Sequence, residues 1–295
     1  MLKLEYCIKL VGLPNNFGGR VPKLKRLEMN HCLCLKTLPD SIGLLTELEH
    51  LDLNSCCALV TLPNAIVGLV GLKTLNLSGC YRLEEMAMEL GRSIDLYKLD
   101  VGLKKLKKLE MEETRVWSLP RDLGLLTSLS SLSMDIPTGV PAGFDKLKAL
   151  THLSVKCGED VSMRLSNSLG GFAALQSLHI TSVKKIYCIP RSLGKLKCLL
   201  RVQIKKCIEL SIIEALPPCL EHLDLEFCGS LIDIPSLKPM KSLVHLNLEG
   251  CRELRHIHGL ECLTTLVFIN LVGCVSIEDH GVNVNKDNKA LGVAL

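Results

Sequence analysis

Apolar residues recur along this chain in one short pattern that is repeated many times. The stretches LKRLEMNHCLCLKTLPDSIGLL, LEHLDLNSCCALVTLPNAIVGL and LKTLNLSGCYRLEEM start at Leu24, Leu48 and Leu72, so they follow one another at a constant step. At the start of each stretch, aliphatic residues alternate with polar ones, which is the period of a half-buried β-strand. A constant step of this size indicates a solenoid in which every repeat contributes one strand.

We number the first Leu of each repeat as position 0, which places apolar residues at positions 0, 3 and 5. The full pattern reads L-x-x-L-x-L-x-x-C-x-x-L-x-x-L-P-x-x-[IL]-G-x-L. Repeats are predicted to open at Leu24, Leu48, Leu72, Leu96, Leu106, Leu129, Leu150, Leu175, Leu199, Leu220, Leu243 and Leu266, after an incomplete one at Met1. Because Leu96 and Leu106 stand much closer together than the other openings, we expect a strand with a deleted return segment, and an irregularity or hinge, over 96–106.

Successive strands that are joined by a long return segment must run parallel. Each return carries apolar residues behind a Pro that interrupts regular helix, which favours short helical or 3₁₀ turns. The sequence therefore predicts an α/β solenoid shaped as a horseshoe, with a concave parallel β-sheet and helical, 3₁₀ and irregular turns on the convex side. The repeats are expected to occupy residues 1–281, followed by a less periodic C-terminal tail over 282–295.

Composition narrows the possible partners. The chain is 47% hydrophobic but only 3% aromatic, so its core must be aliphatic. No apolar run approaches the roughly 18 residues that span a bilayer, and the start, MLKLEYCIKLVGLPNN, lacks the apolar segment of a secretion signal. A net charge of +4 does not by itself indicate a nucleic acid or a membrane as partner.

The 15 cysteines are odd in number and accompany no export signal, which favours a reducing compartment, cytoplasmic or nuclear. Buried thiols have a raised pKa and are inert, so the cysteines at position 8 are expected to be scaffold. Paired C-x-x-C knuckles are absent, and we predict no metal and no cofactor. The position 8 cysteines are Cys7, Cys32, Cys56, Cys80, Cys207, Cys228, Cys251 and Cys274.

The combination of Cys at position 8 with L-P-x-x-[IL]-G-x-L resembles the leucine-rich repeats of plant nucleotide-binding immune receptors, the disease-resistance proteins. LNLSGCYRLEEM and LPDSIGLLTELEHLDL carry this resemblance. It implies an inward-pointing position 8 side chain that bonds neighbouring backbone, and repeats that hold a receptor inactive and sense a pathogen effector, directly or through a host protein. The nucleotide-binding motif G-x-x-x-x-G-K-[ST] does not occur here, so only the sensor region is resembled.

The last repeat, FINLVGCVSIEDHGV, is instead similar to the Cys-containing repeats of F-box substrate receptors. This resemblance implies an adaptor that recruits substrates for ubiquitin ligation, and it covers one repeat only. The sequence therefore leaves two interpretations open, a recognition module and an adaptor. Neither is an enzyme, and no G-x-S-x-G or other catalytic motif suggests one.

Positions 2, 4 and 6 of each strand are predicted to face the concave side, where a protein partner could bind. Position 2 is largely basic and position 4 is acidic or polar, so neighbouring side chains on one strand could neutralise each other. This surface is either a self-paired solvated face or a polar strip complementary to a protein, such as an effector, a host protein or another domain of a longer chain. The candidate residues in the first part are Arg26, Glu28, His50, Asp52, Lys98, Asp100, Lys108 and Glu110.

A second group of candidates lies on two later strands that should be neighbours. His222 and His245 are predicted to stack, with Asp224 beside His222, and Glu226 and Glu249 at position 6. Two imidazoles and carboxylates could bind zinc or respond to pH near 6.5. Because His also occurs at position 2 without such company, at His50 and His152, we interpret these residues as protein-binding and assign no metal site.

Overall fold

The computed structural model describes residues 1–83, 102–114, 126–135, 146–156, 171–183 and 185–278, and the single residues Val116, Gly124 and Leu169. The chain divides into two compact units. The first comprises Met1–Pro137 and Pro141–Leu150, and the second comprises Thr138–Val140 and Thr151–Leu295. In both units the alternation of apolar and polar residues gives rise to short parallel strands.

Six strands of the first unit pair in chain order, each parallel to the next. Equivalent repeat positions face each other, as Leu27 faces Leu51 and Leu51 faces Leu75. The predicted parallel sheet is therefore confirmed here. The strands are β1 (Leu2–Lys3), β2 (Arg26–Glu28), β3 (His50–Asp52), β4 (Thr74–Asn76), β5 (Lys108–Met111) and β6 (Ser131–Asp135).

The second unit repeats this arrangement with six further parallel strands and adds a separate two-stranded sheet in its return segments. The main strands are β7 (His152–Lys156), β8 (Ser177–Thr181), β10 (Arg201–Lys205), β12 (His222–Asp224), β13 (His245–Asn247) and β14 (Phe268–Asn270). The small sheet pairs β9 (Cys188–Ile189) with β11 (Ile212–Ile213).

Leucines at positions 0, 3 and 5 form the core, as the alternation predicts. Leu48 and Leu53 are fully buried, and Leu51 is 1% exposed. The same holds in the second unit for Leu220, Leu223 and Leu225. Since each buried leucine removes apolar surface that is worth about 25 cal/mol per Å², these rows supply most of the stabilisation of the stack.

The return segments contain the short turns that the Pro residues predict. A short α-helix, Phe17–Arg20, occupies the first return, and 3₁₀ turns follow in later ones. Pro39, Pro63 and Pro190 directly precede three of these turns. The turns are Asp40–Leu44, Asn64–Gly68, Arg191–Lys195 and Leu260–Cys262.

Gly in the [IL]-G-x-L motif is required by close packing between neighbouring returns. A Cβ on Gly43 would lie 2.4 Å from the carbonyl oxygen of Ala65, and one on Gly68 would lie 2.5 Å from that of Gly43. No side chain fits at these distances, so the motif keeps Gly where one turn rests on the next.

The repeats that open at Leu72 and Leu106 are neighbours in the sheet. Thr74 of β4 pairs directly with Lys108 of β5, so the repeat of Leu72 continues to that of Leu106. The strand predicted at Leu96, and the irregularity expected over 96–106, fall mainly on residues that the structure does not describe, so they stay predictions. Residues 84–101, which include Lys98 and Asp100, lie outside the described part of the chain, as do the residues of the predicted tail.

Position 7 of the repeat adopts left-handed backbone, which the sequence pattern did not reveal. Residues of different types take it up with φ near 57°, among them Ser55, Lys206 and Phe227, and Gly does so elsewhere. For residues other than Gly this conformation costs roughly 1–2 kcal/mol. The turn that ends each strand therefore needs this backbone, whichever residue is present.

Six of the eight cysteines at position 8 bond the backbone of the preceding repeat, as the resemblance implied, whereas Cys207 donates to Lys205 of its own repeat at 3.5 Å and Cys7 is exposed. The thiol of Cys56 donates to the carbonyl of Met29 at 3.2 Å, and that of Cys80 donates to Leu53 at 3.2 Å. These thiols are scaffold. The same bond to the residue at position 5 of the preceding repeat is made by Cys32, Cys228, Cys251 and Cys274.

Gly250→Ala is expected to destabilise the protein by roughly 1–2 kcal/mol or more, because position 250 combines left-handed backbone (φ 71°) with close contact. A Cβ there would lie 2.4 Å from the ring of Phe227. Gly229→Ala is the matched control, since a Cβ on Gly229 meets nothing within 4 Å. Denaturant unfolding of both variants gives the comparison, and equal midpoints would contradict the requirement for Gly.

Thiol alkylation of the native protein should separate the cysteines by burial. Burial raises the pKa of Cys56 and of Cys80 to about 12, so both should stay unmodified at neutral pH. The exposed Cys34 and Cys198 should react. Mass spectrometry of peptides after brief treatment with iodoacetamide measures each site, and rapid labelling of Cys56 would argue against its place in the core.

Candidate functional site

The open face is the side of each sheet that carries positions 2, 4 and 6. Most of its side chains are half-buried or exposed, in contrast to the buried leucines on the other side. In the first unit, two of the predicted charge pairs form within single strands. Arg26 contacts Glu28 at 2.9 Å, and Lys108 contacts Glu110 at 2.8 Å.

Glu28 is an open-face carboxylate of the first unit that is paired with two cations. Besides Arg26, it is bonded by Lys3 of the neighbouring strand at 2.8 Å. Hydrogen bonds from Lys3 and Arg26 lower the pKa of Glu28 from 4.5 to about 2. The carboxylate therefore stays charged at any physiological pH and ties β1 to β2.

His50 and Asp52 do not neutralise each other, in contrast to the prediction. The Nδ1 atom of His50 is hydrogen bonded to Oγ1 of Thr74 at 2.7 Å, across to the next strand. Asp52 instead accepts the backbone N–H of Asn54 at 2.9 Å. The predicted pairing is wrong because the backbone that turns after position 5 offers Asp52 a nearer donor.

Asp52 belongs to a set of position 4 side chains that cap the strand end. Each accepts the backbone N–H of the residue at position 6, at 2.9–3.1 Å. The recurrence of Asp and Asn at position 4, just before the turn, is the sequence signal for this role, since short acceptors favour such local bonds. The capping residues are Asp52, Asn76, Asn247 and Asn270.

A polar network joins four strands of the second unit. Lys205 contacts Asp224 at 2.7 Å and Glu226 at 2.8 Å. Asp224 is only 5% exposed, and it also accepts the side-chain amide of Asn247 at 3.1 Å. Asn270 extends the network by donating to Glu249 at 3.1 Å.

Lys205 occupies the centre of this network, and sequence alone did not single it out. Burial opposes its charge, but hydrogen bonds to Asp224 and Glu226 outweigh that effect and raise its pKa. Asp224 was predicted to lie beside His222, and its side-chain partners are Lys205 and Asn247. The sequence does contain a signal for this role of Lys205. It is the combination of Lys at position 6 with acidic residues at positions 4 and 6 of the next repeat.

Three rings lie side by side on the open face of the second unit, and two of them are stacked. His222 and His245 have centroids 5.7 Å apart, and His245 lies flat on Phe268, with centroids 4.3 Å apart and an interplanar angle of 7°. Burial, followed by the nearby His222, lowers the pKa of His245. The two histidines lie opposite each other on neighbouring strands, as predicted, but their rings are tilted by 37° and are not stacked. Only His245 and Phe268 stack, which gives this part of the face an aromatic character.

Neither a metal site nor a membrane span emerges from the described residues. No group of three or more His, Cys, Asp or Glu side chains within the described ranges is arranged to hold a metal ion. In the same ranges, no helix has the length and apolar character needed to cross a bilayer. The open face offers hydrogen-bonding groups, paired charges and an aromatic stack, which are the means of binding a macromolecular surface.

The family of the chain follows from a match to the family model described as leucine-rich repeat region, which covers residues 100–288. This is well over half of the chain, and the chain belongs to that family. Together with the parallel strands and 3₁₀ turns, the match confirms the leucine-rich-repeat solenoid. Solenoids of this kind bind other proteins along extended surfaces.

Solved structures support the same fold. A leucine-rich-repeat protein of Leptospira interrogans is 18% identical with a TM-score of 0.71, over 97% of this chain and 76% of that protein. An internalin of Listeria monocytogenes is 17% identical with a TM-score of 0.60, over 88% of this chain and 80% of the internalin. A plant peptide hormone receptor, RGFR1 in complex with RGF2, is 19% identical with a TM-score of 0.54, over 90% of this chain and 56% of the receptor.

Acid should weaken the first unit through Glu28. Because folding lowers the pKa of Glu28 from 4.5 to about 2, its contribution is fully present above pH 4.5 and is lost as pH falls towards 2. Glu28→Gln should therefore flatten the fall of the unfolding free energy over this range, whereas Glu47→Gln, at an exposed site, should not. Urea unfolding at several pH values measures the slope, and parallel curves for wild type and Glu28→Gln would refute the link.

Proposed function

We propose that this chain is the sensor region of a plant disease-resistance receptor, which binds a pathogen effector or a host protein through its open face. The support is the joint occurrence of Cys at position 8 and L-P-x-x-[IL]-G-x-L. Both parts of this pattern have a structural role. Cys56 and Cys80 bond the backbone of the preceding repeat, and Pro39 directly precedes a 3₁₀ turn. On this proposal the protein is cytoplasmic or nuclear and is not an enzyme.

The observation that carries the proposal is the open face itself. Its polar side chains lie on rows of parallel strands whose other side is buried, so the face is rigid while its side chains stay accessible. A rigid scaffold lowers the entropy that binding must overcome. Charges such as Arg26 with Glu28 and Lys108 with Glu110 are satisfied within the face, so a partner would exchange these pairs or bind across them.

A receptor of this class would also use its repeats to keep other domains of the longer chain inactive. The open face is suited to this second task, because paired surface charges contribute little to stability and can therefore be exchanged for contacts with another domain. Effector and internal domain would then compete for the same residues.

The second candidate is a substrate-recruiting adaptor of an F-box ubiquitin ligase. One observation favours it, namely the pattern FINLVGCVSIEDHGV in the last repeat, where Cys274 donates to the carbonyl of Leu248 at 2.9 Å. Both candidates bind a protein without catalysis, and the coding sequence upstream separates them. A nucleotide-binding module there supports the receptor, and an F-box supports the adaptor.

Exchanging the charges of one open-face pair should weaken partner binding without unfolding the protein. The variant Lys108→Glu with Glu110→Lys keeps the net charge and the ion pair, but it reverses the pattern that a partner meets. Binding proteins captured on immobilised wild type and identified by mass spectrometry are then tested singly. A partner on the open face should bind the variant at least about tenfold more weakly, which corresponds to about 1.4 kcal/mol.

The matched control exchanges charges away from the open face. Lys36→Glu with Glu47→Lys also preserves the net charge, and both residues are exposed outside positions 2, 4 and 6. A specific partner should bind this variant like wild type. If the same partner tolerates the exchange at Lys108 and Glu110 but loses the control variant, the open face is not the binding surface of the first unit.

A further inference from the structure

The first unit carries an exposed apolar surface along the edge where its strands end. This surface consists of positions 9, 10 and 12 of the incomplete first repeat and of the repeats of Leu24 and Leu48, together with positions 9 and 10 of the repeat of Leu72. We call it the edge patch. Its large apolar residues are 39–56% exposed, and they are Ile8, Val11, Leu33, Val60 and Tyr81.

The exposure of these residues is not an effect of the end of the stack. Leu33, Val60 and Tyr81 follow β2, β3 and β4, and each of these strands has a neighbour on both sides. The patch is also continuous from one repeat to the next, because the N–H of Lys36 donates to the carbonyl of Val11 at 3.0 Å and that of Val60 donates to Lys36 at 3.3 Å. Contiguous exposed apolar surfaces of this kind mark interaction sites.

The repeat itself does not require apolar residues at these positions. In the edge patch, seven of the nine residues at positions 9, 10 and 12 of the first three repeats are apolar. In the repeats of Leu199, Leu220, Leu243 and Leu266, only three of the twelve residues at the same positions are apolar. The apolar character of the edge patch therefore belongs to this surface and not to the scaffold.

The charges of the edge patch are basic. Lys9, Lys36 and Arg82 are exposed, and no ion pair joins them to a carboxylate in the described ranges. The nine positions of the first three repeats contain no acidic residue. At the end of the patch, the hydroxyl of Tyr81 donates to Glu113 at 2.9 Å, which holds the ring while 51% of the residue stays exposed. A complementary partner must therefore bring apolar side chains and carboxylates.

We propose that the edge patch binds an amphipathic helix of a partner protein, with carboxylates on both sides of the apolar face of that helix. Neighbouring parallel strands lie about 4.8 Å apart, and one turn of an α-helix rises about 5.4 Å. A helix that lies along the stack therefore places one apolar residue per turn against each repeat, with a mismatch of roughly 2 Å over four repeats. Its carboxylates then face Lys9, Lys36 and Arg82.

This inference is independent of the proposed function. The edge patch excludes positions 2, 4 and 6, so a partner can occupy it whether or not the open face binds an effector or a host protein. Its test also uses different residues and a different probe from the test of the open face.

Protection of Cys34 from alkylation tests the proposal in the intact chain. Cys34 is exposed within the edge patch, and the exposed Cys198 of the second unit is the internal control. The probe is a synthetic helical peptide of about 15 residues with Leu once per turn and Glu on both sides of the Leu face. At a peptide concentration about tenfold above its dissociation constant, Cys34 should be labelled about tenfold more slowly, because roughly a tenth of the sites stay free. Labelling of Cys198 should not change.

Two substitutions of exposed leucines form a matched pair. Leu33→Asp places a carboxylate inside the edge patch, where it opposes both the apolar face and the glutamates of the peptide. Leu44→Asp places the same charge outside the patch, on a 3₁₀ turn where Leu44 is 59% exposed. The peptide should lose its protection of Cys34 in the first variant and keep it in the second.

Three results would overturn the proposal. The first is labelling of Cys34 that the peptide does not slow, or that a peptide of the same composition in shuffled order slows equally. The second is protection that both leucine variants lose alike. The third is protection of Cys34 without peptide, either by vesicles of phosphatidylserine, which would assign the patch to a membrane surface, or by raising the protein concentration, which would assign it to a second copy of the chain.

Discussion

The central constraint on this molecule is that no repeat can bury its own leucines. A single strand with three apolar side chains has nothing to cover them, so each repeat is stable only when another lies against it in register. The pairing of Leu27 with Leu51 and of Leu51 with Leu75 meets this need, as does the bond from position 8 thiols such as Cys56 to the carbonyl of the preceding repeat. Register, core and cysteine positions are therefore consequences of one requirement.

The core could be predicted from sequence because the same residue types return at the same positions of each repeat. Leu at positions 0, 3 and 5 is buried in most repeats, and Cys at position 8 bonds the preceding repeat in most of them, so residue type indicates role. The left-handed backbone at position 7 could not be found this way, since Ser55, Lys206 and Phe227 share it without sharing any side-chain property. The direct pairing of β4 with β5 could not be found from sequence either, because local spacing does not identify the neighbour of a strand.

The residues of the open face could be predicted from sequence, but most of their hydrogen-bond and ion-pair partners could not. Which side chains face the open side follows from alternation, and pairs such as Arg26 with Glu28 follow from spacing on one strand. The partners of Asp52 and Asp224 depend on donors from the following turn or a neighbouring strand. Lys205 was missed because its importance comes from acids in the repeat after its own.

The direct pairing of β4 with β5, across a longer connection than the one between β3 and β4, has a consequence for how such a chain can change. The extra residues between these two strands leave the register of Thr74 with Lys108 unchanged, and also that of β5 with β6. At this connection, added length leaves the pairing of the strands unchanged. Evolution could therefore lengthen such a connection while the strands that carry the open face keep their spacing.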